Sequence, residues 1–235
     1  MKHKHFTFVL ALLMSLVARA VWAYDAEIDG LYYDFDSQNL SAMVVSGDNA
    51  ESIVIPETVT YNGKSYRVTG VKSYAFSACT ELTSISIPRS VTRIGYYAFE
   101  NCDKIAAVHI TDLTAWCGII FDIYTTEEHA DWHDEYGHQF LDWTEYWYES
   151  VSNPLSDKCH LYLNGKEIID LVIPENVTSI GDYAFIGYAA LSTVTIPNSV
   201  TSIGSAAFRD CSGLTSVTIP NSVSSIGNFA FRGCI

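Results

Sequence analysis

The residues best suited to chemistry lie between positions 123 and 150. His129 and His133 are four residues apart, Asp131 lies between them, and His138 follows. On a helix, two imidazoles at this spacing share a face and can bind a transition metal. The segment is not clearly helical, however, and it lacks the glutamate that a zinc protease carries after the first histidine. A metal site at these histidines is therefore the weaker interpretation, and the sequence predicts no cofactor.

The same part of the chain concentrates aromatic and acidic side chains. Residues 105–157 contain no lysine or arginine but 11 acidic residues, and four of the five tryptophans of the chain lie there. One interpretation is a small satellite core that is solvated by the acids. The other is a contact surface with amphipathic aromatic anchors for a protein or for sugar rings, and with acids that attract basic partners. The residues predicted to make these contacts are Trp132, Trp143, Tyr146 and Trp147.

No other pattern in the chain predicts catalysis. The sequence has no glycine-rich phosphate loop, no nucleophile elbow and no pair of carboxylates in a recognisable setting. We therefore predict that the protein is not an enzyme.

A repeated pattern of 23 residues must position these side chains. Leu-x-x-Ile-x-Ile-Pro-x-x-Val-x-x-Ile-Gly-x-x-Ala-Phe-x-x-Cys occupies 82–102, and close copies begin at 168, 191 and 214. A fixed period of this length predicts a repeat solenoid. Alternating apolar residues before each proline predict short strands in a parallel sheet on one face, with turns or short helices on the other. We expect about six coils, with a hairpin at Asn62-Gly63 inserted in the first and a long interruption, 105–167, in the third.

Two positions of the repeat constrain the backbone and the thiols. Gly95 and its equivalents predict a tight corner where a side chain would be costly. Cysteine recurs at one position, where stacked strands about 4.8 Å apart would permit disulfides in an exported protein. Parallel Cβ vectors favour buried free thiols instead, although a bridge between Cys117 and Cys159 across the base of the interruption stays open. The cysteines that recur at the repeat position are Cys79, Cys102, Cys211 and Cys234, with Tyr188 in their place in one coil.

The N-terminus predicts export. Basic residues precede an apolar run at 6–17, and small residues before position 24 predict signal-peptide cleavage after Ala23. The run is shorter than the ~20 residues of a membrane span, and no second apolar stretch is long enough. Loss of residues 1–23 leaves a formal charge of −17, which opposes binding to nucleic acid or anionic membranes. We expect an extracellular or cell-surface protein, with the periplasm as the alternative, and no transmembrane segment after cleavage.

The repeat resembles a known family. The pattern Ile-Pro-x-x-Val-Thr-x-Ile-Gly-x-x-Ala-Phe-x-x-Cys at 87–102 and 196–211 resembles the BspA-type leucine-rich repeats of exported bacterial surface proteins. Residues 55–64, 153–155 and 161–165 also resemble segments of that family, and the likeness covers about 50–122 and 151–235. The resemblance implies a leucine-rich-repeat-like right-handed stack, a role in adhesion or protein interaction, and no catalytic residues. Residues 123–150 do not match the family.

In leucine-rich repeats the outward strand positions usually form the binding surface. Here those positions are mostly serine and threonine, and they lack the tryptophan, tyrosine and arginine that dominate binding surfaces. We therefore expect the contact region in 123–150 rather than on this face. The outward positions are Ser52, Val54, Ser84, Ser86, Ala107, His109, Asp170, Val172, Thr193, Thr195, Ser216 and Thr218.

These patterns predict three parts of the chain: a signal peptide (1–23), an N-terminal capping hairpin (24–49) and a repeat domain (50–235) with an aromatic and acidic insertion at about 111–160. The repeat stops one residue after Cys234 with no polar cap, which favours a longer natural protein. The expected function is non-catalytic binding of a protein or glycan at the cell surface. The alternative is a metal-dependent or glycan-binding protein with its site in 123–150.

Overall fold

The computed structural model describes residues 24–123 and 152–234. In these ranges the chain consists of short strands and turns, with one helix, α1 (Leu113–Cys117). The strands are β1 (Ala26–Ile28), β2 (Leu31–Asp36), β3 (Ser41–Gly47), β4 (Ser52–Val54), β5 (Thr58–Tyr61), β6 (Lys64–Val71), β7 (Ser84–Ile87), β8 (Arg93–Ile94), β9 (Ala107–Ile110), β10 (Ile120–Phe121), β11 (His160–Leu163), β12 (Lys166–Glu167), β13 (Asp170–Val172), β14 (Ser179–Ile180), β15 (Thr193–Thr195), β16 (Ser202–Ile203), β17 (Val217–Thr218) and β18 (Ser225–Ile226).

The predicted solenoid with parallel sheets is confirmed. Strands β4, β7, β9 and β11 pair in parallel in chain order, and the short β12 closes that sheet as an antiparallel hairpin partner of β11. Strands β13, β15 and β17 form a second parallel sheet, in which each residue pairs with the residue 23 positions later. A second set of strands also pairs in parallel: β6 with β8 and β8 with β10, and likewise β14 with β16 and β16 with β18.

The described ranges contain seven rungs, one more than the six that the repeat predicts. The additional rung is β11, whose residues pair one by one with those of β9, from His160↔Ala107 to Leu163↔Ile110. The segment 105–167, which we expected to form a single long coil, therefore contributes two rungs. Its pairing was hidden because 53 residues, not 23, separate the two strands.

Three antiparallel strands precede the first rung. Strand β1 pairs with β2, β2 pairs with β3, and β3 then pairs in parallel with β6 of the first coil. Their apolar residues Tyr33, Ala42 and Val44 are buried. The strands thus shelter the apolar side of the first coil from water.

The core runs along the whole stack. Inward residues of successive rungs lie on one another, as Ile85, Val108 and Leu161 do, each with 0% exposure. The repeated phenylalanines stack with ring centroids 5.3–5.4 Å apart. Burial of each such side chain contributes about 2 kcal/mol, so each coil depends on its neighbours for stability.

The repeated glycine is required by stacking. A Cβ at Gly95 would lie 2.3 Å from the amide nitrogen of Ser73 in the preceding coil, a distance that real Cβ atoms do not reach. The left-handed backbone lies two residues later, at Tyr97 (φ 55°). The sequence thus identified the position where a side chain is not tolerated. The reason is the close contact between coils and not a tight corner in the backbone.

All six cysteines are free thiols in the structure. The thiol of Cys102 donates to the carbonyl of Phe76 at 3.0 Å, and Cys211 and Cys234 donate likewise to Phe185 and Phe208. Burial raises the pKa of Cys102 to about 11 and that of Cys211 to about 12. These thiols therefore stay protonated at neutral pH and act as donors between coils.

Candidate binding surface

The first parallel sheet has an open face formed by the outward side chains of β4, β7, β9 and β11, which we call the sheet face. Strand register aligns these side chains in two rows across the strands, because successive residues of a strand point to opposite sides. One row holds Ser52, Ser84, Ala107 and His160, and the other holds Val54, Ser86, His109 and Tyr162.

Aromatic side chains meet at one end of the sheet face. The rings of His109 and Tyr162 stack with centroids 4.9 Å apart and planes inclined by 21°. Beside them, Nδ1 of His160 lies 2.5 Å from Oε1 of Glu167, which is the register partner of Tyr162 on β12. This cluster combines an aromatic surface with hydrogen-bonding groups that water can reach.

The prediction that this face lacks tyrosine is wrong, since β11 adds Tyr162 to it. Sequence reasoning missed Tyr162, His160 and Glu167 because it placed them outside the regular rungs. One signal was available: Leu161 and Leu163 alternate with polar residues, as in a strand with one buried face.

The sheet face carries little charge. The six outward residues of β4, β7 and β9 include no acid, lysine or arginine, and the Glu167 carboxylate is engaged by an imidazole. On the second parallel sheet the outward residues include one acid, Asp170, whose carboxylate accepts a hydrogen bond of 2.7 Å from Thr193. On each sheet, therefore, the acid is hydrogen-bonded and the other outward residues include no lysine, arginine or further acid.

The residues first predicted to bind lie outside the described ranges: Trp132, Trp143, Tyr146 and Trp147, and the histidines His129, His133 and His138. Among the described residues, no three histidine, cysteine or acidic side chains come together as metal ligands do. In the same ranges, no helix has the length and apolar character of a membrane span.

The chain on either side of residues 124–151 is firmly anchored. Before the segment, Asp122 accepts a hydrogen bond of 2.8 Å from Arg93. After it, the amide of Asn153 donates to the carbonyls of Tyr183 and Ala184. Trp116, which the sequence grouped with the aromatic residues of the insertion, is 1% exposed and donates to the same Ala184 carbonyl at 2.9 Å. Its role is therefore structural.

The stacked parallel rungs, with inward leucine, isoleucine and valine, define a leucine-rich-repeat solenoid. A family model described as the BspA type leucine-rich repeat region matches six copies at residues 38–119 and 158–235, more than half of the chain. The chain belongs to this family, and the predicted resemblance is confirmed.

The chain is similar to solved structures of bacterial leucine-rich proteins. A leucine-rich cell surface protein from Faecalibacterium prausnitzii is 25% identical over 92% of this chain and 53% of its own, with a TM-score of 0.53. A leucine-rich repeat protein from Bacteroides ovatus is 23% identical over 88% of this chain and 56% of its own, with a TM-score of 0.40. The chain thus spans about half the length of these two structures. No curated protein matches it.

Proposed function

We propose that this protein is exported and binds a macromolecule at the bacterial surface without catalysing a reaction. The observation that carries the proposal is the sheet face, where four strands hold outward side chains in fixed rows that end in the His109–Tyr162 stack. A rigid sheet with solvent-accessible side chains can bind a partner with little loss of conformational entropy. The N-terminal pattern and the cell-surface description of the similar F. prausnitzii protein support the location.

Residues 123–150 remain the second part of this proposal. Their tryptophans and tyrosines are typical binding anchors, and their acids would attract basic partners. This support comes from the sequence alone. The segment and the sheet face therefore make separate predictions, which one experiment can distinguish.

The experiment measures binding of residues 24–235 to immobilised matrix proteins and glycans. Tyr162→Ser removes the aromatic side chain from the sheet face, and a second variant replaces 124–151 with a short glycine-serine linker. Thr195→Ser, on the other sheet, is the matched control. A loss of binding of about tenfold or more in Tyr162→Ser supports the sheet face, and a loss only in the linker variant supports the segment. Failure of the unaltered protein to bind any surface molecule would reject the proposed function.

The alternative metal-dependent function has its own test. Metal analysis of the purified protein would show stoichiometric zinc that disappears in a variant with both His129→Ala and His133→Ala. Absence of bound zinc after dialysis against zinc-containing buffer would reject this alternative.

A further inference from the structure

The sheet face lacks the excess of negative charge that the chain as a whole carries. The chain carries 27 acidic residues and a formal charge of −14, yet the outward residues of β4, β7 and β9 are three serines, a valine, an alanine and a histidine. An anionic ligand would meet no basic side chain there, and a cationic ligand would meet no free acid. An uncharged ligand therefore suits the outward residues of β4, β7 and β9 better than an ionic one.

The serine hydroxyls of the sheet face have no partner among the described residues. Within the described ranges, the side chains of Ser52, Ser84 and Ser86 form no hydrogen bond to another residue. They lie in rows across strands that are about 4.8 Å apart. By contrast, Thr193 on the second sheet already donates to Asp170. Hydroxyls in fixed rows that bond to no other described residue suit a partner that carries many donors and acceptors of its own.

The cluster at the end of the rows adds two further features. The rings of His109 and Tyr162 stack on one another, and the C–H face of a sugar ring can pack on the ring surface that this stack does not cover. The His160–Glu167 pair places a donor and an acceptor at its margin. A peptide ligand fits less well, because Val54, which is 66% exposed, is the one large apolar residue among the six outward positions of β4, β7 and β9.

We infer that the sheet face binds a neutral, hydroxyl-rich glycan laid across β4, β7, β9 and β11, with one sugar ring near Tyr162. This inference rests on the proposed function and names the ligand class of the same surface. It assigns recognition to hydroxyl groups and stacking rather than to ion pairs, so binding should depend little on salt.

The test uses residues 24–235 on surfaces coated with mannan, laminarin and arabinogalactan, with heparin as the anionic probe and gelatin as the polypeptide probe. We expect at least one neutral polysaccharide to bind, with less than a twofold change in affinity between 50 and 500 mM NaCl. Ser84→Leu and Ser86→Leu, each of which removes a hydroxyl and adds bulk to a row, should each weaken binding about tenfold. Thr195→Leu, on the second sheet, is the matched control and should leave binding unchanged. Thermal unfolding of each variant checks that the fold is retained, and Ser84→Leu is the decisive variant if Ser86→Leu is destabilised.

Each result decides the inference. Binding to heparin alone, or to a neutral glycan without loss in either leucine variant of the sheet face, would overturn it. If gelatin alone binds and the leucine variants of the sheet face lose it, the glycan class is wrong while the proposed function survives. If no probe binds, both fail.

Discussion

The phenol of Tyr188 donates a hydrogen bond of 2.6 Å to the carbonyl of Ile168, at the repeat position where other coils carry cysteine. The same oxygen accepts a bond of 3.3 Å from the amide of Leu161. In the regular coils a cysteine thiol donates to a carbonyl of the preceding coil. Before Tyr188, however, the preceding coil contains the irregular β11–β12 hairpin. The longer side chain of tyrosine reaches across this gap and satisfies two backbone groups of the hairpin segment.

Removal of this hydroxyl should destabilise the fold. Tyr188 is 0% exposed, so Tyr188→Phe leaves the Ile168 carbonyl and the Leu161 amide without their partner at an expected cost of about 1–3 kcal/mol. Urea unfolding measures this free energy. Tyr24→Phe, at a tyrosine that is 46% exposed, is the control and should change stability by less than about 0.5 kcal/mol. Equal stability of the two variants would contradict the bridging role.

Alanine at a repeated glycine should separate two coils. In Gly204→Ala the new Cβ would lie 2.5 Å from the amide nitrogen of Asp182 and 2.6 Å from the carbonyl carbon of Gly181. Because backbone atoms of the preceding coil cannot move away without disturbing its structure, we expect the free energy of unfolding in urea to fall by about 2–3 kcal/mol. The control is Gly118→Ala, where the nearest atom is 3.5 Å away and φ is −98°. That variant should be neutral or slightly stabilised, and a similar loss in both would refute the stacking explanation.

Alkaline pH should destabilise the protein through its thiols. Burial raises the pKa of Cys117 to about 12 and that of Cys159 to about 11, from an ordinary value of 9.0. Between pH 9 and these raised pKa values, the unfolded chain loses thiol protons that the native state keeps. The contribution of the thiols to stability is therefore full below pH 9 and falls as the pH rises towards 11–12. Buried Tyr33, with a pKa raised to about 12, adds to the fall above pH 10.

Urea midpoints measured from pH 8 to pH 11 check this dependence. Cys117→Ala removes one of the titrating groups, and its midpoint should fall less steeply with pH than that of the unaltered protein. A midpoint that stays constant up to pH 11 would show that the thiols are not held protonated by the fold.

The hydrogen bonds of Trp116 and Asn153, on either side of residues 124–151, should be energetically coupled. Trp116 and Asn153 both donate to the carbonyl of Ala184. Trp116→Phe removes one donor and part of a buried ring, and Asn153→Ala removes the other, with an expected loss of about 1–3 kcal/mol each. Because either donor alone still satisfies the shared carbonyl, the double variant should lose more than the sum of the single losses, by at least about 0.5 kcal/mol. Additive losses would show that the two bonds act independently.

The repeat made much of this architecture predictable. The spacing of leucine, isoleucine and proline indicated each regular strand, and the recurring glycine and cysteine marked contacts between coils. These features are local or strictly periodic, so one copy explains the others. The candidate surface could not be predicted in the same way. The additional rung, β11, follows no period, and its place in the sheet depends on pairing with β9.

The sequence by itself determined that this chain stacks 23-residue coils with an apolar interior, since every coil repeats one pattern of inward side chains that only a neighbouring coil can cover. The tertiary structure decided which residues share the open face. It brought Tyr162 onto His109 across 53 residues of chain, and it placed Tyr188 where a thiol would be too short. Both outcomes arise from backbone pairing between segments distant in sequence, and no local pattern of residue types encodes such pairing.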